Sequence, residues 1–386
     1  MAARYLIVGL GKTGVSCARF LHTQGAELVL TDSRAEPPGL APLRALLPDA
    51  RCHLGGFTLA ALDGVDTVIV SPGVSLREPL LQAAWARGLP LWSDIELFAR
   101  HARAPIVAIT GSNGKSTVTT LVGQMAAQAG RKVQVGGNLG TPALDLLTPT
   151  AELYVLELSS FQLETTHSLR PAAAVVLNIS PDHLDRHEDM AGYTAAKARV
   201  YHQAQWALYN ADDSTVAALA TTPATASYFT LQPPRHERDY GLHQGYLQRG
   251  STPLFPVTAL KLAGLHNVAN ALAAWALGAA VGLPPAAMQA ALQEFTGLPH
   301  RTQWVAEQAG VVWYNDSKGT NVGATIAALQ GMTRPVILIA GGQGKGADFT
   351  LLRPAVAAQA RAVVLLGEDA PLLATALQGV VPVVAA

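Results

Sequence analysis

Two glycine-rich turns, each directly behind a short aliphatic run and ahead of a helical stretch, constrain this chain more than any other feature. The first is Gly9-Leu10-Gly11-Lys12-Thr13-Gly14, which follows Tyr5–Val8. The second is Thr110-Gly111-Ser112-Asn113-Gly114-Lys115-Ser116-Thr117, which follows Ile106–Ile109. A strand that turns through glycines into a helix aims backbone N–H groups outward at the helix N-terminus, where anions bind. Two such turns require at least two successive α/β layers, each with an open, mainly parallel sheet.

The rest of the chain continues the alternation. Leu28–Leu30, Thr67–Val70 and Pro90–Trp92 read as further strands of a first series. Leu153–Leu156, Ala173–Leu177 and Trp206–Tyr209 follow Ile106–Ile109 in a second series, which closes on an alanine-rich helix over Asn270–Val281. Val311–Tyr314, Pro335–Ala340 and Ala362–Leu366 form a third, with helices over Leu351–Ala360 and Pro371–Leu377. Short aliphatic runs punctuated by Gly, Asp and Ser-Pro are the pattern of buried parallel strands with crossover helices. The 386 residues make about 2.6 domains at roughly 150 residues each. Boundaries are expected near residues 92 and 297, giving 1–92, 93–297 and 298–386, with Gly297-Leu298-Pro299 as a linker. Two strand-helix units of the third part precede the last residue.

Composition narrows the class. Hydrophobic residues are 49% and charged residues 14%, which excludes a disordered chain. The formal net charge is zero, so there is no general attraction to nucleic acid or anionic membrane. No apolar run reaches the ~18 residues of a membrane span, and the N-terminus reads as a first strand and not as a signal peptide. Cys17 and Cys52 read as two reduced core thiols of a cytoplasmic protein. Only seven residues are lysine, and Lys12, Lys115, Lys197, Lys318 and Lys345 all fall in or beside motifs.

The first turn, with Asp32 closing the second strand, has the form of a dinucleotide fingerprint. A nucleotide and a plain tight turn both remain open there, and Asp32-Ser33-Arg34 suits a ribose or a base equally. The second turn is a variant phosphate loop. Gly114-Lys115-Ser116 fits the usual pattern, but Ile109 stands where the first glycine belongs. The expected chemistry is a nucleoside triphosphate, with N–H groups around the phosphates, Lys115 on them and the Ser116 hydroxyl on Mg²⁺.

Further candidates follow strands. Glu157 leads into Leu158-Ser159-Ser160-Phe161-Gln162, and Asn178–Asp185 contains His183, which is either a metal ligand or an ordinary loop histidine. Lys197 is a ligand or a solvated helix cation. Asn267 and Asn270 share one helical face, to hold a purine edge or simply to cap the helix. His300-Arg301, Asn315–Asn321 and a possible phosphate-facing loop at Gly341–Gly346 complete the set.

Together the Gly111–Thr117 loop, His266-Asn267 with Asn270, and Asp316-Ser317-Lys318 resemble the Mur ligase family along essentially the whole chain. Glu157–Leu163, Asn178–Asp185 and Asn315–Asn321 are similar to its D-glutamate-adding members. The resemblance implies three open-sheet domains: Rossmann-like, P-loop and a second Rossmann-like one, whose sheet it implies to be incomplete with two strand-helix units. It implies an ATP-dependent ligase of peptidoglycan synthesis, in which an acyl phosphate of UDP-N-acetylmuramoyl-L-alanine is attacked by D-glutamate. It implies Gly9, Gly11, Lys12, Thr13, Gly14, Asp32, Ser33, Arg34, Ser71, Gly73 and Asn138 on the UDP substrate, and Gly111, Ser112, Asn113, Gly114, Lys115, Ser116 and Thr117 on ATP. Asn270, Arg301 and Asp316 would contact the adenine, phosphate and ribose side. Lys318 and Thr320 would meet D-glutamate or the acyl phosphate. Ser116 and Glu157 would hold one Mg²⁺, and His183 with a carbamylated Lys197 a second. A monomer in the cytoplasm, with small-molecule substrates and no nucleic-acid or membrane partner, is expected. Family members run several tens of residues past Ala386, so a truncated chain is expected too. Another ligase of the superfamily and a catalytically silent nucleotide-binding protein are the alternatives.

Overall fold

The computed structural model describes residues 3–183, 186–187, 189–221, 226–262, 264–332 and 334–385. Leu184 and Asp185, the end of one motif, lie outside the described residues. The chain divides into two compact units, one of residues 1–110, 131–174 and 195–206, the other of 111–130, 175–194 and 207–386.

In the first unit, β1 (Arg4–Val8), β2 (Glu27–Asp32), β3 (Arg51–Leu54), β4 (Thr67–Val70) and β5 (Leu91–Trp92) form a parallel sheet ordered β3-β2-β1-β4-β5. The strand order reverses between β1 and β4, and Gly9 follows β1 at that switch point, where open α/β sheets bind ligands. Leu6, Val8, Val68 and Val70 pack with Leu80, Leu81 and Ala84 of the helix Pro79–Ala86. Burying a side chain of this size stabilises by about 1.5–3 kcal/mol. A second parallel group contains β6 (Ile106–Thr110), β7 (Val133–Gly137) and β8 (Leu153–Glu157), ordered β6-β8-β7.

Neither β3 nor β7 is legible in sequence. The β3 segment Arg-Cys-His-Leu is partly exposed, and β7 ends in two glycines. The edge position of β3 also corrects the expectation of two core thiols: both cysteines are free, but only Cys17 is buried and Cys52 is exposed. β9 (Ala173–Val176) begins in the first unit and ends in the second.

In the second unit, helix Lys115–Gln128 packs against helices Leu265–Ala280 and Pro285–Glu294. β10 (Ala207–Asn210), β11 (Ser227–Phe229) and β12 (Tyr240–His243) are parallel, and β12, β13 (Tyr246–Arg249) and β14 (Thr252–Pro256) form antiparallel hairpins. The hairpins are not among the elements expected from sequence. Gln244 and Gly245 both have positive φ (49° and 77°), as a two-residue type I′ turn requires. Pro253 reads as a strand breaker, but β14 is an edge strand, where proline is tolerated.

β15 (Gln303–Gln308) pairs antiparallel with β16 (Val311–Asn315), and β17 (Val336–Gly341), β18 (Ala360–Leu366) and β19 (Val383–Ala385) form a parallel sheet. Val356, Val363, Leu365 and Leu377 are at its core. The helix expected over Leu351–Ala360 is instead a 3₁₀ turn, Phe349–Leu352, and a helix, Arg353–Gln359. Pro354 at the helix start sets that boundary, and Ala360 already belongs to β18. Among the described residues no helix is long and apolar enough to cross a membrane.

Candidate active site

In the second unit the loop Gly111–Thr117 opens helix Lys115–Gln128, with Gly114 as its N-cap. Gly111 and Gly114 have φ of 148° and 83°. A Cβ on Gly114 would lie 2.4 Å from Asn270 Oδ1, so glycine is what lets the loop approach that amide. Lys115 Nζ donates to the carbonyls of Gly111 (2.8 Å) and Ser112 (3.0 Å). The Ser116 hydroxyl accepts from Arg301 Nη2 at 3.0 Å.

The loop is fastened to the segment after β9. Asn178 accepts from Ser112 N on its carbonyl (2.9 Å) and from Asn113 N on Oδ1 (2.8 Å). Ser112 Oγ bonds the Ser180 carbonyl and accepts its N–H, both at 3.0 Å, and lies 3.0 Å from Tyr193 Oη. Burial pushes the Tyr193 phenol up, and nearby Asp182 adds to the rise. The sequence assigned the loop's N–H groups to phosphate. Those of Ser112 and Asn113 are held by Asn178 instead.

A cavity of about 320 Å³ is lined by Asn113, Gly114, Thr117, Asn267, Asn270, Arg301 and Asp316, among others. Helix Leu265–Ala280 supplies the amides. Its N-cap is Gly264, with no side-chain cap bond, so the capping reading of the asparagines is wrong. Asn270 Nδ2 instead donates to Asn267 Oδ1 at 3.3 Å. Asp316 Oδ1 accepts from Thr302 N at 2.7 Å. Burial raises the Asp316 carboxyl, against the Thr302 bonds, His266 and Arg301. Burial lowers the His266 imidazole, against Asp316 and the Ala327 backbone. Amides, a carboxylate, an arginine and a glycine loop at a helix start are the groups that recognise a base, a ribose and a phosphate chain.

Two residues without an assigned role from the sequence stand beside this cavity. Asn321 caps helix Val322–Gln330 and pairs with Asn113. Asp182 accepts from Asn321 Nδ2 at 3.2 Å and lies 3.7 Å from both Lys345 Nζ and His183 Nε2. His183 is left-handed (φ 55°) and half-exposed. The signal for Asp182 was its place beside His183 after a strand. Lys318 and Thr320 are exposed and do not line the cavity. Two amides of the Gly341–Gly346 loop are engaged by the end of β18 and the segment after it, Gly342 N on the Leu366 carbonyl and Gly344 N on Asp369 Oδ2 (2.5 Å).

In the first unit the opening turn is tight. A Cβ on Gly14 would lie 2.0 Å from the Gly9 carbonyl, and Ser71 Oγ donates to that carbonyl at 2.7 Å. Asp32 is 2% exposed and accepts from Leu10 N (2.7 Å) and from Arg34 N, Nε and Nη2 (2.9, 2.8 and 2.8 Å). The Arg34 guanidinium holds its carboxyl down at about 2. Asp32 therefore braces the turn, and Lys12, Ser33, Arg34 and Gly73 are exposed around it. Glu157 is 3% exposed, and Asn138 Nδ2 donates to its Oε1 at 2.7 Å. Lys197 is 2% exposed, which overturns the solvated-cation reading.

Comparison with known proteins supplies the class. Residues 3–93 match the "Mur ligase MurD-like, N-terminal domain", 109–278 the "Mur ligase middle domain" and 300–385 the "Mur ligase, glutamate ligase domain". The chain belongs to the Mur ligase family. A UDP-N-acetylmuramoylalanine–D-glutamate ligase of Nitrosococcus oceani is 56% identical over 98% of this chain and 84% of that protein. The ligase of that name from Methylobacillus flagellatus is 52% identical over 97% and 84%. Among solved structures, a pseudomurein peptide ligase type C from Methanothermus fervidus superposes with a TM-score of 0.64 at 18% identity, over 100% of this chain and 88% of the other. The UDP-N-acetylmuramate-alanine ligase of Thermotoga maritima gives 0.61 at 18%, over 100% and 90%. These structures share the fold.

Proposed function

We propose that this chain is the ATP-dependent ligase that joins D-glutamate to UDP-N-acetylmuramoyl-L-alanine. The observation that carries the reading is the cavity that unites the Gly111–Thr117 loop with Asn270, Arg301 and Asp316, in a chain 56% identical to a ligase of that name. ATP phosphorylates the substrate's terminal carboxylate. The amine of D-glutamate then attacks the acyl phosphate, the C–O bond to phosphate breaks, and an amide, ADP and phosphate result.

Lys115, at the start of the helix that the loop opens, neutralises charge on the transferred phosphoryl. Asn270 and Asp316 orient base and ribose, and Arg301 lies on the phosphate side. The Gly9–Gly14 turn, with Ser33, Arg34, Ser71, Gly73 and Asn138, holds the UDP substrate, while Lys318 and Thr320 serve the incoming amino acid. Glu157, a buried carboxylate, and Ser116, a hydroxyl, are oxygen donors of the kind Mg²⁺ takes, and His183 with a carbamylated Lys197 would serve a second ion. The burial of Lys197 is what a carbamylated ligand needs and a solvated cation lacks. Bound Mg²⁺ would supply charge neutralisation on the phosphates. A cytoplasmic monomer belongs to the same reading.

The test is phosphate release from ATP by the purified chain. Release that requires both UDP-N-acetylmuramoyl-L-alanine and D-glutamate is expected. Equal release with L-glutamate or another amino acid would refute the substrate assignment.

A further inference from the structure

Asp94 is a carboxylate that none of the steps above uses, yet it is 2% exposed and faces an amide, not a cation. It opens the helix Asp94–Ala99. Both of its oxygens accept from Gln162 Nε2, at 3.2 and 3.0 Å. Gln162 is equally buried. Its Oε1 accepts from Ser159 N at 3.0 Å and from Ser159 Oγ at 3.1 Å, and Ser159 Oγ accepts from Gln162 N at 3.2 Å. This capping box starts the helix Ser160–Glu164.

The turn it closes runs directly on from Glu157. Leu158 N donates to the Ile109 carbonyl (2.8 Å), and the Leu158 carbonyl accepts from Thr110 Oγ1 (2.8 Å). Glu157 is thus braced on its side chain by Asn138 and on the following backbone by Thr110 and the capping box.

A glutamine amide has two orientations of nearly equal shape but opposite polarity. An ionised carboxylate only accepts, so it admits only the orientation that turns NH₂ toward it. That leaves Oε1, and not NH₂, for Ser159. The reversed amide would face Ser159 N–H with a donor and leave buried groups unpaired, at about 1–3 kcal/mol each.

We propose that Asp94 is a positioning residue. By fixing the polarity of Gln162 it locks the Glu157–Ser159 turn and so holds the Glu157 carboxylate in its metal-binding pose. The proposal rests on the ligase reading for the role of Glu157, though not for the lock itself.

Exchanging the polarity of the pair tests it. Gln162→Glu sets two carboxylates face to face. Hydrogen exchange at the Ser159 amide, read by mass spectrometry on peptides spanning 157–163, should rise on the order of tenfold, the effect of losing one such bond. The Mg²⁺ concentration for half-maximal phosphate release should rise severalfold. Adding Asp94→Asn restores a donor–acceptor pair of opposite sense, because the new amide at position 94 donates and the carboxylate at 162 accepts from Ser159. Both readouts should then return to within about threefold of the parent.

Asp94→Asn alone keeps the volume but no longer dictates the amide, and should speed exchange severalfold. If Gln162→Glu does not fold and the double variant does, the polarity argument stands. Unchanged exchange in Asp94→Asn, or a double variant no better than Gln162→Glu, would overturn it. A purely packing role would lower the melting temperature and leave the Mg²⁺ requirement unmoved, which also overturns it. If the parent chain releases no D-glutamate-dependent phosphate, the ligase reading fails while the exchange data still decide the lock.

Discussion

Asn113 and Asn321 exchange amide hydrogen bonds, each Nδ2 donating to the other's Oδ1 at 3.2 Å. One belongs to the phosphate loop and the other is the N-cap of helix Val322–Gln330, where its Oδ1 also accepts from Ala324 N at 2.8 Å. A single side chain therefore starts a helix and steadies the nucleotide loop. Asn321→Ala should cost about 1 kcal/mol through the lost cap, and ATP affinity should fall as well. Asn321→Asp keeps the cap acceptor but brings no donor for Asn113. It also faces Asp182 with a second carboxylate, so it should recover the cap but only part of the stability, and not the affinity. Urea unfolding and ATP titration of the two variants separate the effects, and equal ATP affinity in all three proteins would refute the link.

Gly114→Ala should be among the most damaging small substitutions. The residue has φ 83°, and its Cβ would sit 2.4 Å from Asn270 Oδ1. Backbone strain of this kind costs on the order of 1–2 kcal/mol, and displacing Asn270 would also weaken the base recognition proposed for it. Adding Asn270→Ala relieves the clash but not the strain. A thermal-shift series with and without ATP tests this: the single variant should lose both stability and ATP-induced stabilisation. A Gly114→Ala protein that matches the parent in both would contradict the packing described.

Lys115→Ala should lower turnover about a hundredfold or more, the scale of losing a group that stabilises transition-state charge. The ammonium bonds the carbonyls of Gly111 and Ser112, within its own loop. Steady-state phosphate release beside a melting curve distinguishes a catalytic loss from a folding loss, and retained turnover would remove Lys115 from the phosphate site.

The parallel sheets, the two turns and the family were legible because they rest on local chemistry: aliphatic runs, glycines at forced φ, and a lysine beside a serine. Less legible was which polar atoms the fold leaves for ligands. Asp32 follows the fingerprint in sequence, but four hydrogen bonds to Leu10 and Arg34 consume it. The N–H groups of Ser112 and Asn113 belong to the phosphate motif yet are claimed by Asn178, a residue from another strand end. Lys197 reads in sequence as either a ligand or a solvated cation, and only tertiary packing, which buries it, removes the second reading. Such pairings depend on the three-dimensional meeting of distant segments, which no local pattern encodes.

Acid dependence should carry the signature of Asp94. Burial lifts its carboxyl from 3.8 to about 6, against the Gln162 bonds. Between these values the folded chain holds a proton that the unfolded chain has released, so stability falls as pH rises from about 4 through 6 and is flat above. A shift of about two units corresponds to roughly 3 kcal/mol. Asp32 has the opposite sign: its carboxyl is held down at about 2, so its contribution is present above 3.8 and is lost as pH falls toward 2. The Asp32 window lies below pH 4.5, but the raised Asp316 carboxyl and the lowered His266 imidazole also add pH dependence above it, so only the difference from Asp94→Asn isolates Asp94 in urea unfolding between pH 4.5 and 7.5. The stability of the parent minus that of Asp94→Asn should decline across this range and level off near neutrality. A difference independent of pH would mean that Asp94 is ionised throughout and that its burial carries no such cost.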